Sequence, residues 1–308
     1  MASRDFVKPD GIPGTHVYEG ELVAGMTPAS TLDALKTWQL RHDDVFVITY
    51  PKSGTHWLFE IVSLIINGGD PDKIERSHMT IAPELIMAPP GDEEAMKTTP
   101  PGYKLINNWE SPRVMATHLI EKFLPPDVWR KNVKVLYLGR NPKDVFCSAA
   151  SFHLSLMPKE LQDFDNFIKY NLLCEQVPFG TWFQHVKGYE KHHGKDNFLF
   201  VRYENLQKDH LYQVKRIAQF LDRPLSEELA DKITSLTTIK EMKNTYDKHE
   251  ETDPEGIMHT RAFGTLKFLN KGKVGTWKGK ITGDLNDLFD KVYQEKMASS
   301  NLQFDFEI

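Results

Sequence analysis

The chain has 308 residues, 40% hydrophobic and 26% charged, and its 38 Lys and Arg against 43 Asp and Glu leave a formal net charge of −5. That length suits a single domain over residues 1–308 with a sizeable core, and the mild acidity argues against nucleic acid as a partner, which calls for a strong positive field. The two cysteines, Cys147 and Cys174, exclude a disulfide framework and a four-thiolate zinc site.

In chain order, strands and helices alternate. A helical pattern fits Thr31 to Leu40, and Val45 to Tyr50 is a short apolar run of the kind buried on both faces of a sheet. A turn-like Pro51-Lys52-Ser53-Gly54 follows, then a helix with Trp57, Leu58, Ile61 and Ile65 on one face, stopped by Gly68-Gly69. Arg113 to Thr117, Val133 to Gly139 and Asn197 to Tyr203 read as three more strands. Helices are expected near Pro142 and over Trp182 to His193, Leu211 to Leu221 and Leu285 to Met297. The pattern predicts an α/β fold, a central parallel sheet flanked by helices. Ile86 to Trp109 and Asn244 to Lys271 are irregular and read as binding loops. The opening MASRDFVKPD lacks the apolar run of a secretory signal. The greasiest stretch, Leu58 to Ile66, is about half a membrane span and contains Glu60. A cytoplasmic protein without a membrane partner is the expectation.

The strand, loop and helix around Thr49-Tyr50-Pro51-Lys52-Ser53-Gly54-Thr55-His56-Trp57 form an anion site in physical terms. Amides at a helix N-terminus, the positive end of its dipole and a loop lysine converge there. Gly54 lets the backbone approach a phosphate, and Ser53 or Thr55 donates or caps. It is not a Walker A loop, because no Gly-Lys pair is followed by Ser or Thr. Alone, the segment is also compatible with an ordinary capped turn and a solvated lysine.

TYPKSGTHW closely resembles the 5′-phosphosulfate loop of the cytosolic sulfotransferases, usually written TYPKSGTTW. Those enzymes move a sulfuryl group from 3′-phosphoadenosine 5′-phosphosulfate (PAPS) to a hydroxyl or amine, without a metal. The resemblance implies P-loop-like binding of the phosphosulfate by Lys52, Ser53, Gly54, Thr55, His56 and Trp57. Pro112-Arg113-Val114-Met115-Ala116-Thr117-His118 is similar to the family's PRxxKTHLP, which makes His118 the catalytic base; Ala116 stands where many members have lysine. Leu138 to Ser148 resembles the ARNAKDVAVS segment, so Arg140 and Ser148 are expected on the 3′-phosphate. By the same resemblance Ser148 restrains Lys52 until acceptor is present, and Lys52 stabilises the leaving phosphate.

Val201 to Leu206 matches the family's FYEDLK-type stretch, which places Tyr203 at the adenine. Thr237-Thr238-Ile239-Lys240-Glu241-Met242 resembles TSFKEM, which closes over the adenine, with Ile239 where an aromatic ring is frequent. Stacking then falls mainly to Trp57. Phe268-Leu269-Asn270-Lys271-Gly272 opens a segment similar to RKGxxGDWK, with Asn270 in place of arginine and Thr276 in place of aspartate. Losing that guanidinium predicts weaker cofactor binding unless Lys271 or Lys273 compensates. In the family's dimer patch, Lys278 and Thr282 remain while Gly283 and Asp287 replace valine and glutamate, so a homodimer is possible but its usual patch is altered.

The resemblance spans about residues 10 to 300. It implies a small hydrophobic hydroxyl or amine acceptor, with Phe152, Ala149 and His118 at its site and Met79, Ile81, Ile86 and Met87 in an apolar wall. The remaining histidines lack metal-site spacing, and Glu250 to Glu255 reads as a solvated acidic loop. A PAPS-binding protein of the same fold with feeble catalysis is the alternative, since Ala116, Ile239 and Asn270 all depart from common members. A nucleotide kinase is disfavoured by the missing Walker A sequence.

Overall fold

The computed structural model describes residues 14–88, 92–156, 158–252 and 272–308. A two-stranded antiparallel hairpin, β1 (Thr15–Tyr18) and β2 (Glu21–Ala24), precedes α1 (Ala29–Leu35). The four-stranded parallel sheet has the order β4-β3-β5-β6, from β3 (Val45–Thr49), β4 (Val114–Thr117), β5 (Lys134–Gly139) and β6 (Phe198–Arg202). Between β3 and β4 lie α2 (Thr55–Ile66), α3 (Glu93–Thr98) and α4 (Gly102–Ile106). The short α5 (Asp127–Arg130) precedes β5, and α6 (Pro142–His153), α7 (Phe164–Leu173) and α8 (Trp182–Glu190) separate β5 from β6. After β6 come α9 (Tyr203–Lys208), α10 (His210–Phe220), α11 (Glu227–Leu236), α12 (Ile239–Thr252) and α13 (Gly283–Met297).

All five residues of β3 are buried, because both faces of the sheet are covered. The two-residue period divides them: Phe46 and Ile48 join Val135 and Tyr137 in one core with α1, α7, α8 and α13, whereas Val45 and Val47 join Leu136 and Leu138 against α2, α10 and α11. The chain leaves β3 toward β4 on one side and leaves β5 toward β6 on the other. The crevice beyond the carboxyl ends of β3 and β5 is therefore a topological switch point, where such sheets bind ligands. At the opposite end of the sheet, Arg113 is 2% exposed and forms a two-pronged pair with the buried Asp44.

Three expectations need correction. Ile86 to Trp109 contains α3 and α4, each bonded at its start: the Asp92 carboxylate accepts from Ala95 N–H, and Gly102 N–H donates to Leu85 O. Asn244 to Thr252 continues α12, since the run carries neither Gly nor Pro. The helix expected to reach Leu40 stops at Leu35, and Leu40 N–H instead bonds the buried Asp127 carboxylate at 3.2 Å.

Candidate active site

The turn after β3 is shaped by its backbone. Lys52 has φ 68° and Gly54 φ 108°, so the chain reverses within four residues and α2 begins at Thr55. A side chain on Gly54 would meet the Tyr203 ring at 3.0 Å and Leu138 Cδ2 at 3.2 Å. Only glycine fits this cradle. Ser53 is fully buried and its Oγ finds no hydrogen-bond partner among the described residues. A buried hydroxyl without a partner is costly unless a ligand completes it. The Lys52 ammonium lies 4.3 Å above the Phe152 ring. Burial, reinforced by the neighbouring Arg140 charge, pushes Lys52 down to about 8.

His118 is the first residue past β4, where the strand ladder has ended, and buried side chains take over its support. Its Nδ1 lies 2.7 Å from Thr49 O and 3.2 Å from Thr49 Oγ1. A carbonyl only accepts, so Nδ1 carries the hydrogen and Nε2 presents a lone pair. Burial, with Lys52 nearby and despite the bond to Thr49 O, pushes the ring below its ordinary range and keeps it neutral. His118 N–H donates to the Glu84 carboxylate at 3.4 Å, and Thr117 Oγ1 donates to the same group at 2.9 Å. His118 O lies 3.2 Å from His185 Nε2, and Leu119 O accepts from Tyr189 Oη at 2.8 Å. Burial raises Glu84 to about 7 and lowers His185 to about 3.

After β5, Asn141 caps α6 by accepting from Asp144 N–H at 2.9 Å, with Pro142 at the first helical position as expected. Arg140 reaches back across the crevice. Its Nη1 donates to Lys52 O at 3.3 Å, its Nη2 to Lys273 O at 3.0 Å, and its guanidinium lies 4.3 Å over the Tyr203 ring. Its buried Nε has no partner among the described residues. The fully buried Asp144 accepts from Gly275 N–H at 2.9 Å, Thr276 Oγ1 at 2.8 Å and Trp277 N–H at 3.0 Å. That bond gives Thr276 a role that the family pattern does not predict. Ser148 is half-buried on α6, one turn beyond Asp144.

At the far end of the loop the Trp57 indole N–H donates to Thr237 O at 2.8 Å, and the ring meets Tyr203 and His210 edge to face at 5.2 Å each. Thr238 is exposed, and Ile239 is 36% exposed beside Gly272, whose φ is 62°.

The crevice thus brings together Lys52, Ser53, Gly54, Thr55, His56, Trp57, Arg140, Tyr203 and Thr237. Phe268, Leu269, Asn270 and Lys271 lie outside the described residues. Ala116 sits with Phe59 and Met79 in a small apolar cluster against Tyr246. Where many family members carry an ammonium, this chain packs a ring. Met79 is thereby occupied in packing. A cleft lined by Leu22, Val23, Glu84, Leu119, Ile120, Phe123 and Phe179 opens under the hairpin instead, and Phe179 also meets the His118 ring at 5.8 Å. The sequence reading missed Glu84, His185, Tyr189 and His210, none of which lies beside its partners in the chain, and it gave no role to Asp144, whose bonds to Gly275, Thr276 and Trp277 only the fold reveals. Ser53 Oγ, Arg140 Nε and the Gly54 cradle fit an anionic nucleotide. Among the described residues no group of three His, Cys, Asp or Glu is placed to hold a metal, and no helix is long and apolar enough to cross a membrane.

The comparisons with known proteins agree with this architecture. Sulfotransferase 1E1 of Bos taurus is 36% identical over 276 residues, covering 89% of this chain and 90% of the relative. Human sulfotransferase 2B1 is 37% identical over 268 residues, 86% of this chain and 68% of the relative. The structure resembles mouse sulfotransferase SULT7A1 complexed with PAP, with a TM-score of 0.72 and 30% identity over 93% of this chain and 95% of the other. It also resembles retinol dehydratase in complex with androsterone and the inactive cofactor PAP, with a TM-score of 0.74 and 25% identity over 94% and 92% of the two chains. The family model described as the sulfotransferase domain matches residues 42–301, and with it the chain belongs to the sulfotransferases, as an enzyme dependent on PAPS.

Proposed function

We propose that this enzyme transfers the sulfuryl group of PAPS to a hydroxyl or amine of a small hydrophobic acceptor, with His118 as general base. The observation that carries this reading is the 2.7 Å bond between His118 Nδ1 and Thr49 O, which leaves Nε2 as the proton acceptor. PAPS supplies the activated sulfuryl group. Lys52, close to the crevice floor, offsets the negative charge that grows on the leaving phosphate in the transition state. Ser53, the amides at the start of α2 and Arg140 hold the anionic ends, while Ser148 lies on the helix next to the 3′-phosphate cluster. Phe152, under the Lys52 ammonium, and Ala149 form part of the acceptor wall. The androsterone bound by one structural neighbour supports a compact hydrophobic acceptor. We further read residues 1–308 as one cytoplasmic domain. Gly283 and Asp287, both exposed, replace two residues of the family's dimer patch, so a homodimer would form through an altered patch.

The test is His118→Ala. Transfer from labelled PAPS to a panel of phenols, sterols and amines is expected to disappear, while PAP affinity measured by calorimetry stays within about twofold. Retained turnover would remove His118 from the reaction. A wild-type chain that binds PAP but sulfates nothing in the panel would favour the binding-protein alternative.

A further inference from the structure

His210, the first residue of α10, belongs to no motif that the sequence comparison uses, yet it faces the adenine end of the crevice. Its Nε2 lies 3.0 Å from Thr237 Oγ1. The single hydrogen of that hydroxyl points to Ile233 O at 2.8 Å, with Thr234 O at 3.5 Å. His210 is therefore the donor in its contact with Thr237. Burial pushes the imidazole down to about 4, so it is neutral and carries one hydrogen, the one on Nε2. Thr237 is thus fixed twice, through its hydroxyl by His210 and through its carbonyl by the Trp57 indole. The His210 ring also stands edge to face against Trp57, 5.2 Å between centroids and 69° between planes. Tyr203 meets the same indole edge to face at 72°. Ile239, across the site, has no π-face to offer.

We propose that His210 is a positioning residue for the nucleotide: by pinning Thr237 and bracing Trp57, it holds rigid the one indole on which the purine stacks. This rests on the PAPS reading above and extends it to a residue outside the phosphate-binding motifs. A loose tryptophan would have to be ordered as the nucleotide binds, and that ordering would subtract from affinity. With an aromatic residue on both sides of the base the loss would be shared. With Ile239 on one side it falls on Trp57 alone.

The experiment measures PAP by calorimetry with wild type, His210→Ala and His210→Gln, whose amide nitrogen takes the place of Nε2. His210→Ala is expected to weaken PAP about fivefold and to raise the PAPS KM by the same factor, with kcat within about twofold. His210→Gln is expected to recover most of that loss. Inhibition by inorganic pyrophosphate, which has no purine, is expected to stay the same in all three proteins. Trp57 fluorescence, isolated by subtracting the Trp57→Phe protein, is expected to broaden and shift in His210→Ala before ligand is added. Unchanged PAP affinity in His210→Ala overturns the inference, as does an equal loss for pyrophosphate. Should His210→Ala fail to fold, a His210→Gln protein that is folded and as weak as a Trp57→Phe protein overturns it. Failure of the wild type to bind PAP at all strikes the underlying reading instead.

Discussion

The turns that follow β3 and β4 lie side by side at the same end of the sheet, and each delivers one charged or titratable side chain to the crevice. They are held in opposite ways. The turn after β3 is set by its own backbone: left-handed geometry at Lys52 and Gly54, followed at once by the first turn of α2. The turn after β4 has one local bond, from Leu119 N–H to Thr117 Oγ1 at 3.0 Å, and no left-handed residue. Its other polar groups are satisfied by Glu84, His185 and Tyr189, which lie between 34 and 70 residues away in the chain. Local geometry places the lysine, and tertiary structure places the histidine. The first rests mostly on the backbone of its own residues, with Arg140 and Tyr203 packed against it, whereas the second rests mostly on distant partners.

The largest expected effect tests the second turn. Glu84→Ala strands the Thr117 hydroxyl and the His118 N–H, each costing about 1–3 kcal/mol when buried without an acceptor. A displaced base then lowers kcat about 10–100-fold while PAP affinity holds within about twofold. Steady-state kinetics beside calorimetry checks this, and an unaffected kcat would mean that the turn holds itself. A somewhat smaller effect is expected at the first turn. Gly54→Ala forces a Cβ against the Tyr203 ring at an unfavourable φ, at about 1–3 kcal/mol. PAP affinity should fall about tenfold, and the thermal midpoint by about 5 °C. Equal PAP binding would show that backbone shape is not what sets the lysine.

The smallest effect is a pH dependence. Lys52 titrates near 8 in the folded protein against an ordinary value of 10.5. Between those values the folded chain holds fewer protons than the unfolded one, so this group makes the unliganded protein more stable as pH rises through that window. PAP binding has the opposite sign, because an anion needs the ammonium. Its affinity should fall by up to about tenfold from pH 7 to pH 9, with proton uptake visible when calorimetry is repeated in buffers of different ionisation enthalpy. Lys52→Arg should flatten the profile. A flat wild-type profile would place the lysine away from the ligand.

The same contrast explains what could be read from the chain. Val45 to Thr49, the loop with Lys52 and Gly54, and Arg140 before the capped α6 are legible because each rests on neighbours in sequence. His118 is found by motif, but nothing near it announces Glu84 or His185. The hairpin β1–β2 passes unnoticed because its strands are four residues each and half exposed, so the apolar alternation is too short to count. The part of helix α12 from Asn244 onward is mistaken for a loop because its polar surface hides the single side that Tyr246 presents to Phe59, Met79 and Ala116.

Tyr246 and Asp144 tie distant stretches of the chain to the two helices that open on the crevice. Tyr246 Oη donates to the buried Glu60 of α2 at 3.3 Å, and Asp144 of α6 grips Gly275 and Trp277. Glu60 and Asp144 are thus acceptors on which long-range attachments depend, so the loss of either carboxylate strips a donor 186 or 131 residues away of its partner as well as disturbing its own helix.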